Sequence, residues 1–148
     1  RRVADGRFIR EAVEVSVVRR AALEIEPVAL MALEHNLQLQ KMAADRHDSQ
    51  AFLSLDDEFH RLIAESINCL LAWETVENIK AAMDRVRFLT LSEVSPPDSL
   101  IEQHEEILSA LKNHDADAAE AAMRRHLQEM IFSITPIAER NSEWFESL

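Results

Sequence analysis

Residues 51–66 carry the clearest helical pattern in the chain. Their apolar positions recur at steps of three and four, which places side chains on one face of an α-helix. That face, extended by one turn, holds Phe52, Asp56, Phe59, His60, Ile63 and Ile67. An acid and an imidazole one turn apart in an apolar stripe would be costly to bury without partners. Asp-x-x-x-His also lets two side chains hold one ion, although such pairs often simply hydrogen-bond each other.

The rest of the chain also favours helices. Its 148 residues include one Gly, four Pro and no Tyr, and Ala, Leu, Glu and Met are frequent, which is typical of an all-α domain. A chain of this length with 47% hydrophobic residues can bury one core. No stretch of useful length alternates between apolar and polar residues as a strand does. We therefore predict one antiparallel bundle of six to seven helices.

Breaks in the pattern set the predicted helix boundaries. Asp5-Gly6 is a turn signal and marks residues 1–6 as a linker. Pro27 suits the first turn of a helix, the Pro-Pro pair at 96–97 marks a loop, and Pro136 ends or kinks the last long helix. The predicted helices cover residues 7–23, 27–44, 49 to about 68, 70–91, 99–112, 115–134 and a short final stretch over 141–148.

The inner faces and ends of these helices follow from the same pattern. Asp48 is the expected N-cap of the third helix, and Asn68 is the expected cap at its C-terminus. The inner face of the first helix is predicted to contain Ile9, Val13, Val17 and Ala21, with Arg10 beside them. The inner face of the second is predicted to contain Leu30, Met31, Leu37 and Met42.

Charge and cysteine content narrow the function classes. The formal net charge is −11 and the basic residues are scattered, so this segment is not expected to bind DNA itself. Cys69 is the only cysteine, which suits a reducing cytoplasm. No apolar run approaches the roughly 20 residues that span a bilayer, and no membrane partner is expected. The sequence begins at Arg1 without Met, so we expect a piece of a longer protein.

The six histidines separate into two groups. His35, His47 and His114 fall on polar or loop positions, whereas His104 and His126 lie on the inner stripes of the fifth and sixth helices. A buried hydrogen-bond network is one reading of the inward group. The other is a metal site in the bundle core, where such sites are built. The four predicted ligands are Asp56, His60, His104 and His126, a set that suits one divalent transition-metal ion, zinc first and otherwise nickel, manganese or iron.

Two arginines are candidates for binding an anion beside that ion. A metal with an open position next to a guanidinium attracts a small carboxylate. Arg10 is the first candidate, and its alternative role is an i,i+4 ion pair with Glu14, which contributes little if exposed. Arg87 is the second candidate, because it follows Met83 by one turn. Its alternative is an ordinary arginine on the helix surface.

The order of these residues resembles the FCD domain, the C-terminal effector domain of FadR-type GntR transcription regulators. The resemblance runs from Arg10 to about Phe132. The opening Arg10-x-x-Val13-Glu14 is similar to the family's Arg-x-x-Leu-Glu, with Val in place of Leu. The other matching motifs are Asp56-x-x-Phe59-His60, Asn68, Glu102-x-His104-x-x-Ile107-x-x-Ala110-Leu111, and Asp115 through Ala118/Ala119 and Met123 to His126-Leu127.

The resemblance implies a helical bundle in which Asp56, His60, His104 and His126 hold a metal. It also implies that Arg10 contacts a small carboxylic or sugar-acid effector. In the family, effector binding changes the spacing of two winged helix-turn-helix domains in a homodimer. Residues 1–6 would then be the linker from such a domain, residues 7–148 the effector-binding domain, and contact with DNA would occur only through the N-terminal domain.

Two other function classes stay open. A mononuclear metal enzyme built on a helical bundle would use the same ligands, but we find no further inward Glu, Tyr or Ser that would serve as a base or nucleophile. We therefore expect no enzyme. A purely structural dimerisation module with a core histidine cluster is the third class. Turnover of superoxide or of a small ester would favour the metal enzyme. A melting temperature that does not change on chelation would favour the structural module.

Overall fold

The structure is a computed structural model that describes the backbone of residues 2–81 and 97–140 and the side chains of residues 5–81 and 97–129. Every regular element in these ranges is a helix, which confirms the predicted all-α class. The helices are α1 (Arg2–Glu24), α2 (Pro27–Asp45), α3 (Ser49–Ser66), α4 (70–81), α5 (Pro97–Lys112) and α6 (Ala116–Arg140). The predicted short helix over 141–148, the end of the predicted fourth helix, and Arg87 lie outside the described residues. None of the described helices is long and apolar enough to cross a membrane.

Neighbouring helices run in opposite directions. Arg19 pairs with Asp117 at 2.6 Å and Arg124 with Glu11 at 2.9 Å, so moving back along α1 from Arg19 to Glu11 moves forward along α6 from Asp117 to Arg124. The closest helix pairs are α1–α6, α2–α3, α5–α6 and α2–α5. These ion pairs are exposed or only half-buried and stabilise little. They show that α1 and α6, which no connection joins directly, pack antiparallel.

One apolar core joins five of the helices. Its members are buried because each helix turns its apolar stripe inward, where removal from water stabilises the fold. The larger side chains of this core that are exposed by 1% or less are Val18 from α1, Leu33 from α2, Phe59 and Ile63 from α3, Ile107 and Leu111 from α5, and Met123 and Leu127 from α6. This core holds the inner faces of α3, α5 and α6 against one another.

Three helices end with a non-glycine residue in the left-handed region. His47, Asn68 and His114 have φ values of 54°, 56° and 53°. After α3, the Cys69 amide bonds the Ala64 carbonyl at 3.0 Å and the Asn68 amide bonds the Glu65 carbonyl at 2.9 Å. These two bonds define a Schellman motif, and the turns after α2 and α5 repeat it. The predicted cap at Asn68 is confirmed.

The N-terminus of α3 is capped as predicted. The Asp48 carboxylate accepts a hydrogen bond from the Ala51 amide at 3.0 Å, and Asp115 caps α6 in the same way through the Ala118 amide at 3.0 Å. In both places the cap directly follows the left-handed residue. A His-Asp pair thus closes one helix and opens the next.

The first helix begins earlier, and the last ends later, than predicted. α1 starts at Arg2, so residues 2–6 are helical. The role of residues 1–6 as a linker between domains stays a prediction. Gly6 lies within the helix and does not form a turn. Its missing side chain leaves room for α4, because a Cβ at this position would lie 2.9 Å from Ile79 Cγ2. The helical backbone of α6 continues past Pro136 to Arg140, so Pro136 does not end it.

The predicted inner faces of α1 and α2 are wrong at Ile9, Met31 and Met42, whereas Val13, Val17 and Leu30 are partly buried against the core. Ile9 is 45% exposed, Met31 is 68% exposed and Met42 is 53% exposed. The buried positions of α1 begin with Arg10 and Glu14, and those of α2 include Asn36 and Gln40. Polar residues occupy part of the core face of both helices, so an apolar count places the stripe incorrectly. Leu37 and Ala21 are buried as predicted.

Candidate metal centre

The four predicted ligands converge between three helices. Asp56 and His60 come from α3, His104 from α5 and His126 from α6, and all are exposed by 2% or less. One donor atom from each can be chosen so that all lie within 4.8 Å of one another. The juxtaposition predicted from the helical stripes is therefore found. Coordination of an ion by this group stays a prediction.

The inner atoms of the group face one small volume. His104 Nε2 lies 3.0 Å and His60 Nε2 lies 3.5 Å from Asp56 Oδ1. His126 Nε2 lies 3.4 Å from His60 Nε2. Donors about 2.1 Å from a single ion stand roughly 3 to 4 Å apart. The spacing of these atoms fits one ion held by three imidazoles and a carboxylate.

The outer nitrogen of each imidazole meets a side-chain oxygen. His60 Nδ1 lies 2.5 Å from Glu14 Oε1, His104 Nδ1 lies 2.8 Å from Gln40 Oε1, and His126 Nδ1 lies 2.5 Å from Gln103 Oε1. On a neutral imidazole, an oxygen at this position accepts a hydrogen bond from Nδ1, so the lone pair is on Nε2. Metal-bound histidines are normally held in this way, so the group can hold a metal ion.

Glu14 links the cluster to Arg10. Its Oε2 accepts a hydrogen bond from Arg10 Nε at 2.5 Å, while its Oε1 faces His60. Glu14 is an inward glutamate that the sequence did not reveal. Both of its oxygens are engaged, one by Arg10 and the other by His60. Arg10 is 6% exposed, and its Nη2 is buried without a hydrogen-bond partner.

Burial and neighbouring charge shift three pKa values in this region. Burial alone would raise the pKa of Glu14, but His60 and Arg10 outweigh it and hold that pKa well below its usual range. Burial would lower the pKa of His60, but Glu14 and Asp56 raise it to about 9. Burial, reinforced by His104 and His60, lowers the pKa of His126 well below its usual range. Metal-free protein thus carries a charged His60 beside a neutral His126.

Aromatic rings enclose the imidazoles on two sides. The Phe59 ring stacks on His104 with centroids 4.5 Å apart, and the Trp73 ring lies parallel to His60 with centroids 6.3 Å apart. Lys80 Nζ lies 5.5 Å from the Trp73 centroid and 3.1 Å from Asp57 Oδ1. These rings keep water from two sides of the cluster and limit the directions in which His60 and His104 can turn.

The other histidines named from the sequence lie outside the cluster. His35 and His47 are exposed, as predicted. His114 is also exposed, but its Nδ1 lies 2.9 Å from the Ala22 carbonyl. The second candidate arginine, Arg87, is outside the described residues. Sequence reasoning missed three residues that contact the imidazoles, namely Glu14, Gln40 and Gln103.

A separate surface cleft of about 530 Å³ does not belong to the cluster. It lies where the α1–α2 connection meets the C-terminal end of α3, and its lining includes Arg20, Glu24, Glu26 and Ile67. None of the four candidate ligands lines it. The cleft is therefore not part of the candidate metal site.

The FCD domain family matches residues 7–129 of the chain. These residues contain Arg10 and all four candidate ligands. The match confirms the resemblance to the FCD domain that the sequence motifs indicated.

Several curated proteins are similar in sequence. The chain is 47% identical over 143 residues to the HTH-type transcriptional repressor RspR of Escherichia coli K12, covering 97% of this chain and 63% of that protein. It is 34% identical to an uncharacterised HTH-type transcriptional regulator in an unstable DNA locus of Streptomyces ambofaciens, covering 97% and 60%. The chain thus spans less than two thirds of these relatives. Their names confirm the expectation of a regulatory domain and not an enzyme.

A solved structure has the same fold. Escherichia coli McbR/YncC superposes with a TM-score of 0.81 at 20% sequence identity, over 90% of this chain and 64% of that one. At this identity the likeness concerns the fold alone. It agrees with the helical bundle described above.

Proposed function

Because this chain belongs to the FCD domain family, we propose that it is the metal-dependent, ligand-sensing domain of a bacterial GntR/FadR-type transcription regulator. The observation that carries the proposal is the convergence of Asp56, His60, His104 and His126 with their inner atoms facing one volume. A cluster of three imidazoles and a carboxylate, closed off from water, has a ready explanation as a metal site.

The donor set favours a borderline divalent ion. Imidazole nitrogen suits zinc, nickel and iron, and a single carboxylate is compatible with each of these and with manganese. Zinc is the first choice. Four protein donors leave a position open when the ion takes five or six ligands.

The proposed effector is a small carboxylic or sugar acid. A bound ion would supply a Lewis-acidic seat for a carboxylate oxygen. Arg10 contributes a buried Nη2 with no hydrogen-bond partner, while its Nε is already held by Glu14. A guanidinium oriented in this way is suited to donate a hydrogen bond to a second anionic oxygen. Arg10 is therefore the proposed effector clamp.

Regulation would occur through a second domain. RspR and the Streptomyces relative are named as HTH-type regulators, and this chain spans 63% and 60% of them. The net charge of −11 argues against DNA binding by this segment. We therefore place DNA binding in an N-terminal winged helix-turn-helix domain of a cytoplasmic homodimer. An effector that binds one dimer arrangement more tightly biases the population toward it, by no more than the difference in affinity.

Elemental analysis of gently purified protein tests the metal. About one equivalent of transition metal is expected in the wild type and little in His104→Ala. His35→Ala is the matched control, because His35 is exposed and lies outside the cluster. Metal-loaded wild type would then be screened with small carboxylates for a rise in melting temperature. Absence of metal from the wild type, even after reloading, would overturn the proposal.

A further inference from the structure

We propose that Asn36 and Gln40 of α2 are positioning residues that hold a proton on His104 Nδ1 and so assign Nε2 as its metal-binding atom. This inference rests on the proposed metal site. It concerns two residues that are not themselves in the donor set. Gln40 is fully buried and Asn36 is 3% exposed.

The direction of the hydrogen bonds is set at one end by a backbone carbonyl. Asn36 Nδ2 donates to the Leu55 carbonyl oxygen at 3.1 Å. Because a carbonyl oxygen only accepts, the amide of Asn36 must turn its nitrogen toward Leu55 and its oxygen away. That oxygen then accepts from Gln40 Nε2 at 2.6 Å.

The orientation of the Gln40 amide determines which nitrogen of the His104 imidazole carries a proton. With its amide nitrogen committed to Asn36, Gln40 turns its Oε1 toward His104 Nδ1 at 2.8 Å. An amide oxygen only accepts, so His104 must carry a proton on Nδ1. The lone pair of a neutral His104 is then on Nε2, the atom that faces Asp56 Oδ1 at 3.0 Å.

The relay also joins two ligands on different helices. It begins at the carbonyl of Leu55, the residue before Asp56 on α3, and ends at His104 on α5, with both intermediates on α2. Its members are buried, so breaking it would leave polar groups without partners in the core. The amide of Gln103 is oriented in a comparable way, because its nitrogen donates to the Glu129 carboxylate while its oxygen faces His126.

Zinc affinity, measured by competition with a chromophoric chelator, tests the role of the relay. Gln40→Met removes the oxygen acceptor with little change in size, and Asn36→Leu leaves the Gln40 amide free to turn round. We expect Gln40→Met to weaken zinc binding about 10- to 100-fold and Asn36→Leu to weaken it in the same direction. Leu37→Ala is the control, because Leu37 is a buried apolar residue of the same helix. It should change zinc affinity less than about threefold.

Nitrogen-15 NMR of the zinc-loaded wild type tests the tautomer itself and does not depend on any variant folding. His104 should show a proton on Nδ1 and zinc on Nε2. Zinc on Nδ1 would overturn the inference, as would Gln40→Met and Asn36→Leu proteins that bind zinc as tightly as Leu37→Ala. A wild type that binds no zinc would instead refute the metal site, and the role of the relay with it.

Discussion

His104 Nε2 lies 3.0 Å from Asp56 Oδ1 across the contact between α5 and α3. The two atoms belong to helices far apart in sequence, and the packing of each helix in the core fixes the position of its side chain. An ion between them would join α3 to α5 directly, and His126 would add α6. The stability of the bundle should therefore depend on the metal.

Removal of the metal should lower the melting temperature. A ligand that binds only the folded state stabilises by about 4 kcal/mol at 1,000 times its dissociation constant, which is roughly 10 °C for a domain of this size. Thermal unfolding with and without a chelator measures this difference. The melting temperature of His104→Ala should be the same with and without the chelator. A wild type that does the same would favour a purely structural histidine cluster.

Arg10→Gln should separate effector binding from metal binding. The substitution removes the guanidinium and its buried Nη2 but none of the four donors, so about one metal equivalent should remain. The rise in melting temperature that a carboxylate produces should fall by more than half. Arg20→Gln is the matched control, because Arg20 forms an exposed i,i+4 ion pair with Glu24 on the same helix at 2.9 Å. An effector response that survives in Arg10→Gln would contradict the clamp.

The pair of Glu14 and His60 should make the stability of metal-free protein depend on pH. The pKa of His60 is raised from 6.5 to about 9 in the folded state, so its stabilisation is full below pH 6.5 and is lost as the pH rises through 9. Glu14→Gln removes the main source of that shift. The difference in unfolding free energy between wild type and Glu14→Gln should be largest near pH 6 and shrink by roughly 1–3 kcal/mol toward pH 9.5.

Urea unfolding of chelated protein at several pH values measures this difference. The ionised Glu14 has a pKa well below its usual range, so its own titration does not enter above pH 6. Glu24→Gln, an exposed change on the same helix, should show no such trend. A difference that is flat from pH 6 to 9.5 would count against a charged His60.

The left-handed helix ends offer a stability test away from the cluster. His47 has φ 54° and an exposed side chain, so His47→Gly should stabilise metal-free protein by about 1 kcal/mol. His114 has φ 53°, but its ring Nδ1 lies 2.9 Å from the Ala22 carbonyl. His114→Gly loses that contact and should gain less. Urea unfolding compares the two, and an equal gain would show that the contact does not stabilise.

The sequence was sufficient to predict α3 and the four candidate ligands. Phe52, Phe59 and Ile63 repeat at helical spacing, and Asp56 and His60 lie within the same stripe, so one assignment places all of them. Each is buried. His104 and His126 follow by the same rule on α5 and α6. Where apolar residues dominate a face, periodicity identifies its polar members as well.

The partners of the imidazoles were not predicted, because they occupy faces that are not mainly apolar. Asn36 and Gln40 lie one turn apart between buried Leu33 and Ala43, and that spacing was the available signal. The predicted inner face of α2 was instead drawn through the apolar residues Met31 and Met42, which are exposed in the structure. The Arg10–Glu14 pair was recognised from its spacing, but whether it is buried depends on which helix covers it. That is a tertiary property, which no local pattern contains.

The burial of all four candidate ligands determines how an ion would exchange with its surroundings. None of the four is more than 2% exposed, so an ion held there would be screened from solvent by the helices that carry its ligands. Entry and departure of the ion would then follow local opening of these helices. Reloading of metal-free protein would accordingly be slow compared with binding at a surface site, and the same opening would limit the rate at which an effector reaches the ion.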